Sequence, residues 1–341
     1  MKLKNIVFGL VGLMLLSGCN PTPSTSETPS VSSEAPISEI TSVLPSEEES
    51  EVVSSAEESS ATDPSSEAPV SEAWEAPEEV WVPDWDFTPM TPYDGNYWNG
   101  LDLTLRGSAL ADALRAHIRA TFRGVTYNVA GDAVVEMDRD PFRPNRVLTI
   151  YDLRSRSDAK YFEWNREHVF PQSKLADGND DLRAGPNKVN ISSDIANLFA
   201  CDWDVNETKS NLSLGEWNYT DDPEFYFPYL TRNTEGLLTD NILRRGFFSP
   251  SWQSRGETAR SQLYMVLMYP DNCGINENFN VETMIQWTYD VPLYAERDGQ
   301  RQAGLEKYQN MRNPFIDFPN LGCYIWGDEN SRTQKLCAGK Y

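Results

Sequence analysis

Residues 20–85 contain no Lys or Arg but 16 Asp and Glu, and they decide how much of this 341-residue chain can pack. The segment is made of Ser, Glu, Pro and Thr, with isolated Val, Ile and Ala that fall into neither a helical nor an alternating pattern. Too little apolar surface is available there to offset the entropy of ordering it. It therefore reads as a disordered, self-repelling tether. Aromatic content rises at Trp81-Val82-Pro83-Asp84-Trp85, which puts the start of a folded domain near residue 86. The roughly 255 residues that follow are enough for one well-filled core. Removing residues 20–85 takes the net charge from −23 to −7, and residues 86–341 alone hold 27 basic and 36 acidic side chains, a balance of −9. Most of the acidity thus belongs to the tether. The residual −9 argues against indiscriminate electrostatic binding of nucleic acid, which a bound divalent cation or a local basic stripe would have to offset.

At the N-terminus, Lys2 and Lys4 precede an apolar run from Ile6 to Leu16, too short to span a bilayer and shaped like the h-region of a secretory signal. Leu16-Ser17-Gly18-Cys19 resembles a bacterial lipobox, which implies cleavage before Cys19 and a lipid on that cysteine. The expected organisation is a lipoprotein signal peptide over 1–18, the acidic tether over 19–85 and one domain over 86–341. Such a protein sits at the extracellular face of the cell membrane, held by its lipid anchor. Four cysteines remain, Cys201, Cys273, Cys323 and Cys337, and four allow three pairings. Cys323–Cys337 closes the shortest loop and is the preferred pair, with a free buried thiol open for each of the four. The absence of Cys-x-x-Cys spacing, with only two histidines in the chain, speaks against structural zinc.

Along the domain, Leu110, Leu114, Ile118 and Phe122 recur at near four-residue spacing, predicting an amphipathic helix over 108–122 with Ser108 as its cap. His117 lies beside that stripe and reads as a packed or surface histidine. Arg146 to Tyr151 is rich in branched and aromatic residues and predicts a strand. Glu257 to Tyr269, Thr283 to Asp290 and Ala295 to Met311 predict helices. The aromatic run from Trp217 to Tyr229 reads as core and loop packing, in preference to a base-stacking platform.

The candidate site is Glu163-Trp164-Asn165-Arg166-Glu167-His168-Val169-Phe170-Pro171-Gln172-Ser173, which sets a histidine beside a carboxylate. A neutral imidazole is the commonest general base near pH 7. No Gly-x-Ser-x-Gly elbow supports a serine nucleophile, and two histidines cannot build a His-rich zinc site. A hard cation held by Glu167 and an amide oxygen, leaving His168 free to activate water, competes with an ordinary ion pair.

Residues 164–173 resemble the signature of the bacterial endonuclease I family of ββα-metal (His-Me finger) nucleases. Ser193-Asp194-Ile195-Ala196-Asn197-Leu198, continuing to Val205-Asn206-Glu207-Thr208-Lys209-Ser210-Asn211, is similar to the family's second block. Arg255-Gly256-Glu257-Thr258-Ala259-Arg260 is similar to a third, and Gln309 to Asp317 with Ile325-Trp326 to the last. The resemblance implies an α+β fold, a mainly helical single domain carrying the ββα-metal core. It implies a sequence-nonspecific endonuclease hydrolysing DNA, and RNA as well, to 5′-phosphate products. His168 is then the general base, Glu167 one metal ligand and Asn197 the second, presented from the helix of the ββα unit. The metal is Mg²⁺, with Mn²⁺ or Ca²⁺ as substitutes, and Arg166, Asn206, Lys209 and Arg312 are phosphate contacts. A monomer is expected. The chain departs from the family pattern at Ala196, where a histidine is common, at Ala200 in place of Pro, and at Lys209 in place of Arg. These departures bear on efficiency and phosphate geometry, since Lys offers a point charge where Arg offers a fork. A non-catalytic surface lipoprotein that uses the fold for binding is the alternative.

Overall fold

The apolar stripe over 108–122 becomes a helix against the core, and the remaining elements follow from how its neighbours are capped. In the computed structural model, residues 87–215 and 247–340 are described throughout, with backbone pairing alone for four short strands inside 216–246. The expectations for residues 1–85 lie outside the described residues, as does nearly all of the run from Trp217 to Tyr229.

Helix α1 (Gly107–Thr121) buries Leu110, Ala111, Leu114 and Ile118. Ser108 is not its cap, because the helix begins one residue earlier and Arg106 occupies the cap position without a side-chain hydrogen bond. His117 is packed, its Nε2 2.6 Å from the Tyr97 carbonyl. Helix α2 (Tyr127–Met137) was not foreseen; the Thr126 hydroxyl accepts from Val129 N and Ala130, Ala133, Val134 and Met137 go inward. Small buried residues give a weak periodic signal, which is why the pattern missed it. Strand β1 (Arg146–Leu148) pairs antiparallel with β2 (Ser155–Ser157). The strand expected over 146–151 is half as long, because Tyr151 and Leu153 adopt positive φ angles of 76° and 49° and turn the chain back.

Strand β3 (Trp164–His168) leads into α3 (Gln172–Ala176) and a series of 3₁₀ turns ending at Ile195–Asn197. Strand β4 (Leu198–Asp202) then returns antiparallel to β3 in unbroken register, from Trp164↔Asp202 to His168↔Leu198. Helix α4 (Trp203–Lys209) follows directly, its start fixed by the Asp202 carboxylate, which accepts from Asp204 N at 3.1 Å. The same carboxylate is paired with Arg154 and Arg156. Strands β5 (Ser213–Leu214), β6 (Phe227–Pro228), β7 (Thr231–Arg232), β8 (Leu238–Thr239), β9 (Ile242–Arg244) and β10 (Phe247–Ser249) form a sheet in the order β5-β10-β9-β6 and a separate β7-β8 pair.

Helix α5 (Trp252–Met268) is buried on every side from Ser254 onward, so its charged residues have to be paired. Arg260 donates to Asp298 at 2.8 and 3.1 Å, and Glu257 accepts from Arg297 at 3.0 and 3.1 Å. Helix α6 (Val281–Asp290) agrees with expectation, while the helix foreseen over 295–311 divides into a π-turn (Ala295–Gly299) and α7 (Gln300–Gln309). Short helices α8 (Pro314–Asp317), α9 (Leu321–Trp326) and α10 (Ser331–Cys337) complete the described chain. The preferred disulfide Cys323–Cys337 joins α9 to α10, with Cα atoms 5.4 Å apart, and Cys201 and Cys273 are free and buried. The architecture is α+β and mainly helical.

Candidate active site

Adjacent strand residues point to opposite faces, so Glu167 and His168 can share a site only where the strand ends. It ends there. Asn197 holds the chain immediately beyond: its Oδ1 accepts from Phe170 N at 2.7 Å and its Nδ2 donates to Phe170 O at 3.0 Å. Pro171 then prevents further pairing. At this strand end Glu167 and His168 both line one open cleft, with Arg166, Gln172 and Asn206.

The Glu167 side chain is almost wholly buried. Its Oε1 receives the Lys209 ammonium at 2.7 Å and the Tyr151 hydroxyl at 2.9 Å. Burial pushes the pKa of the Glu167 carboxyl above the usual carboxylate value, and the Lys209 charge opposes that rise. Among the described residues Oε2 takes no hydrogen bond, so this oxygen is the one available to a cation.

His168 Nε2 lies 2.9 Å from the Ser192 carbonyl. A carbonyl only accepts, so in the neutral imidazole Nε2 carries the proton and Nδ1 keeps its lone pair. Burial draws the histidine down to about 4; the Ser192 carbonyl opposes the fall, and the Arg166 and Lys209 cations add to it. The ring is neutral at pH 7, as a base has to be. Tyr127 stacks on it with centroids 5.8 Å apart and planes 17° from parallel. Arg166 lies 3.4 Å over the same tyrosine ring and 4.8 Å over Tyr161, and its guanidinium donates to the Tyr127 carbonyl.

The structure brings Arg166, Glu167, His168 and Asn206 together and leaves Asn197 and Arg312 elsewhere. Asn197 is fully buried in the turn before β4 and does not ride on the helix after the hairpin, as the sequence reading had it. The residue on that helix is Asn206. Its Nδ2 donates to Asn165 Oδ1 and, at 3.4 Å, to Arg166 O, which leaves Oδ1 as the atom free to face the cleft. Lys209 is fully buried against Glu167 and has no path to a phosphate. Arg312 is tied to Asp317 and Glu306, each at 2.7 Å, and lies over Tyr93. Among the described residues no group of three or more His, Cys, Asp or Glu gathers in metal-binding fashion; the oxygen-bearing side chains lining the cleft are Glu167, Asn206, Gln172, Ser173, Ser210 and Asn211. Tyr151, Tyr127 and Ser192 went unnoticed in the sequence: each acts through one oxygen or a ring face and belongs to no spaced motif.

A sequence profile described as Endonuclease I matches residues 143–320, from before β1 through α8. The chain belongs to the endonuclease I family. Two extracellular ribonucleases are similar to it. That of Bacillus amyloliquefaciens is 28% identical over 244 residues, covering 64% of this chain and 74% of its own. That of Bacillus subtilis (strain 168) is 26% identical over 267 residues, covering 70% and 81%. In this endonuclease I chain the blocks that resemble the family divide by task. Arg166, Glu167, His168, Asn206, Ser210 and Asn211 line the cleft, whereas Arg255, Glu257 and Arg260 form buried ion pairs and hydrogen bonds in the core. The core accounts for one departure: Ala200 N donates to the buried Asp138 carboxylate at 2.7 Å, a bond a proline could not make.

Proposed function

We propose that this chain is an extracellular, divalent-cation-dependent nuclease that cuts phosphodiester bonds of DNA and RNA to 5′-phosphate ends without reading bases. In this reading β3, β4 and α4 are the ββα-metal core. The observation that carries it is the lone pair on Nδ1 of a neutral His168, set beside an uncommitted oxygen of Glu167. Glu167 Oε2 and Asn206 Oδ1 are hard donors that suit Mg²⁺, and Mn²⁺ or Ca²⁺ in its place; such a cation takes few protein ligands and keeps several waters. When bound, it supplies charge stabilisation at the scissile phosphate and the departing 3′ oxygen. Asn206 replaces Asn197 as the second ligand, because the Asn197 amide is committed to Phe170.

The remaining steps belong to the chain's own groups. His168 Nδ1 takes a proton from a water as its oxygen bonds to phosphorus and the bond to the 3′ oxygen breaks; the leaving oxygen is protonated from solvent in the open cleft. The Ser192 carbonyl fixes the tautomer and stabilises the imidazolium that forms, and the Tyr127 ring face stacked on it adds to the second effect. Arg166, held between two tyrosines, meets a phosphate oxygen. The similarity to two extracellular ribonucleases supports RNA among the substrates. A lipid on Cys19 would hold the domain at the outer surface of the membrane.

The test incubates the purified chain with supercoiled plasmid and with a structureless RNA in Mg²⁺. Degradation of either that stops in EDTA and in His168→Ala is the expected result. Absence of degradation, or degradation undiminished in EDTA or in the variant, overturns the reading and leaves the non-catalytic lipoprotein.

A further inference from the structure

Directly before the candidate stretch that begins at Glu163, Phe162 is 75% exposed, the most exposed large hydrophobic side chain among the described residues. Its neighbour Tyr161 is 42% exposed. A phenyl ring left in water forgoes about 1.5–3 kcal/mol of burial, so two adjacent open aromatics invite a partner. They stand on a built support. The Glu163 carboxylate accepts from Ser157 N at 2.7 Å, Trp164 Nε1 donates to Ser157 O at 2.9 Å, and Phe162 N donates to Ala159 O at 3.3 Å. Lys160 is paired with Asp132 on α2. The turn is therefore ordered before any ligand arrives.

A chain of contacts links this turn to the base. Tyr161 touches the Arg166 guanidinium, Arg166 covers Tyr127, and Tyr127 stacks on His168. Tyr161 also rests on α2: a Cβ added at Gly131 would meet the tyrosine hydroxyl at 2.4 Å. Glycine inside a helix costs about 1 kcal/mol against alanine, and here it leaves room for that ring. Of the charges at the turn, Lys160 is neutralised by Asp132 and Glu163 is held by Ser157 N, which leaves Arg166, against Tyr161, as the cation placed to meet a phosphodiester backbone.

We propose that Tyr161 and Phe162 form a stacking platform for an unpaired nucleobase, which directs this cleft to single-stranded nucleic acid. The inference rests on the nuclease reading above. Bases in a duplex are already stacked on their neighbours and cannot use the platform, whereas a splayed base in a single strand offers its whole face. Stacking carries no base identity, in keeping with a nonspecific enzyme. Arg166 then holds the phosphate between the stacked nucleotide and the scissile bond.

The test measures binding of labelled 12-nucleotide DNA and RNA strands, the same strands with abasic sites, and a duplex. The full chain carries His168→Ala, in EDTA, so that nothing is cut. Adding Phe162→Ala weakens both single strands roughly 5- to 150-fold and leaves the abasic strands and duplex unchanged. Gly131→Ala weakens the same strands while leaving the thermal midpoint unchanged or raised, a combination that simple unfolding does not produce. If one sugar type alone responds, the platform is assigned to that nucleic acid. Unchanged single-strand affinity in Phe162→Ala, or an equal loss on abasic strands or duplex, overturns the proposal. Cleavage by the wild-type chain in Mg²⁺, run beside it, reports separately on the nuclease reading.

Discussion

Removing the ammonium beside Glu167, by Lys209→Met, tests how the site is held together. Nζ and Oε1 are 2.7 Å apart, and the two side chains are 0% and 4% exposed. Breaking a buried pair from one side leaves the other charge without compensation, a loss of about 3–5 kcal/mol. The Tyr151 hydroxyl stays on Oε1 and retains part of the stabilisation. The pH dependence follows from the direction of the Glu167 shift. Burial raises its folded-state value above the unfolded one, so the folded state binds the proton more tightly and Glu167 detracts from stability as pH rises through that value. Without Lys209 the folded value rises further. The deficit of the variant is therefore small near pH 4, where Glu167 is protonated, and grows toward pH 8. Urea unfolding of the wild-type chain, Lys209→Met, Glu167→Gln and the double variant, at pH 4.5 and 8, measures this. The double variant should recover much of the loss, since no unpaired charge remains. A single variant within about 1 kcal/mol of wild type at pH 8, or an equal deficit at both pH values, refutes the argument that this pair is a buried, mutually dependent unit.

Three further outcomes follow from the geometry. His168→Ala should lower cleavage by about 10²–10⁴-fold; because the base works unprotonated and burial holds His168 near 4, the wild-type kcat/KM should be flat from pH 6 to 8 and fall on acidification toward 4, whereas a midpoint near 6.5 would contradict the assigned environment. The two asparagines should separate: Asn206→Ala loses Mn²⁺ binding and cleavage with the fold intact, while Asn197→Ala costs about 1–3 kcal/mol for each Phe170 group left without a partner in chemical denaturation. Reduction of Cys323–Cys337, whose sequence separation is 14, should lower stability by about 3 kcal/mol, read as a shift in the denaturant midpoint, with single-turnover cleavage below that midpoint unchanged.

Periodicity identified the helices that bury one face, and it failed in two physically distinct ways. Helix α5 is buried all round, so its charged residues carried no sign of their inward orientation; only the partners on the π-turn explain them. Helix α2 buries alanines and Val134, too small a contrast to register as a stripe. The strand over 146–151 stopped early because Tyr151 turns back, and that turn presents its hydroxyl to Glu167. A positive φ at a tyrosine is invisible to propensity.

The site was legible wherever function and chain neighbourhood coincide and illegible where they part. Glu167 and His168 are adjacent, so one stretch revealed both. The second amide was harder, because Asn197 and Asn206 lie in the same block and either could reach the pair by sequence alone. What distinguishes them is the number of acceptors and donors each has already met. The Asn197 amide spends its oxygen and its nitrogen on one residue, Phe170, and thereby ends β3 at the point where two adjacent side chains can face one cleft. Asn206 spends its nitrogen on Asn165 and Arg166 and leaves its oxygen outward. The same accounting moves Lys209 from the substrate to the carboxylate. Its point charge meets Oε1, and a two-pronged guanidinium in the same place would compete for Oε2, the oxygen assigned to the proposed cation.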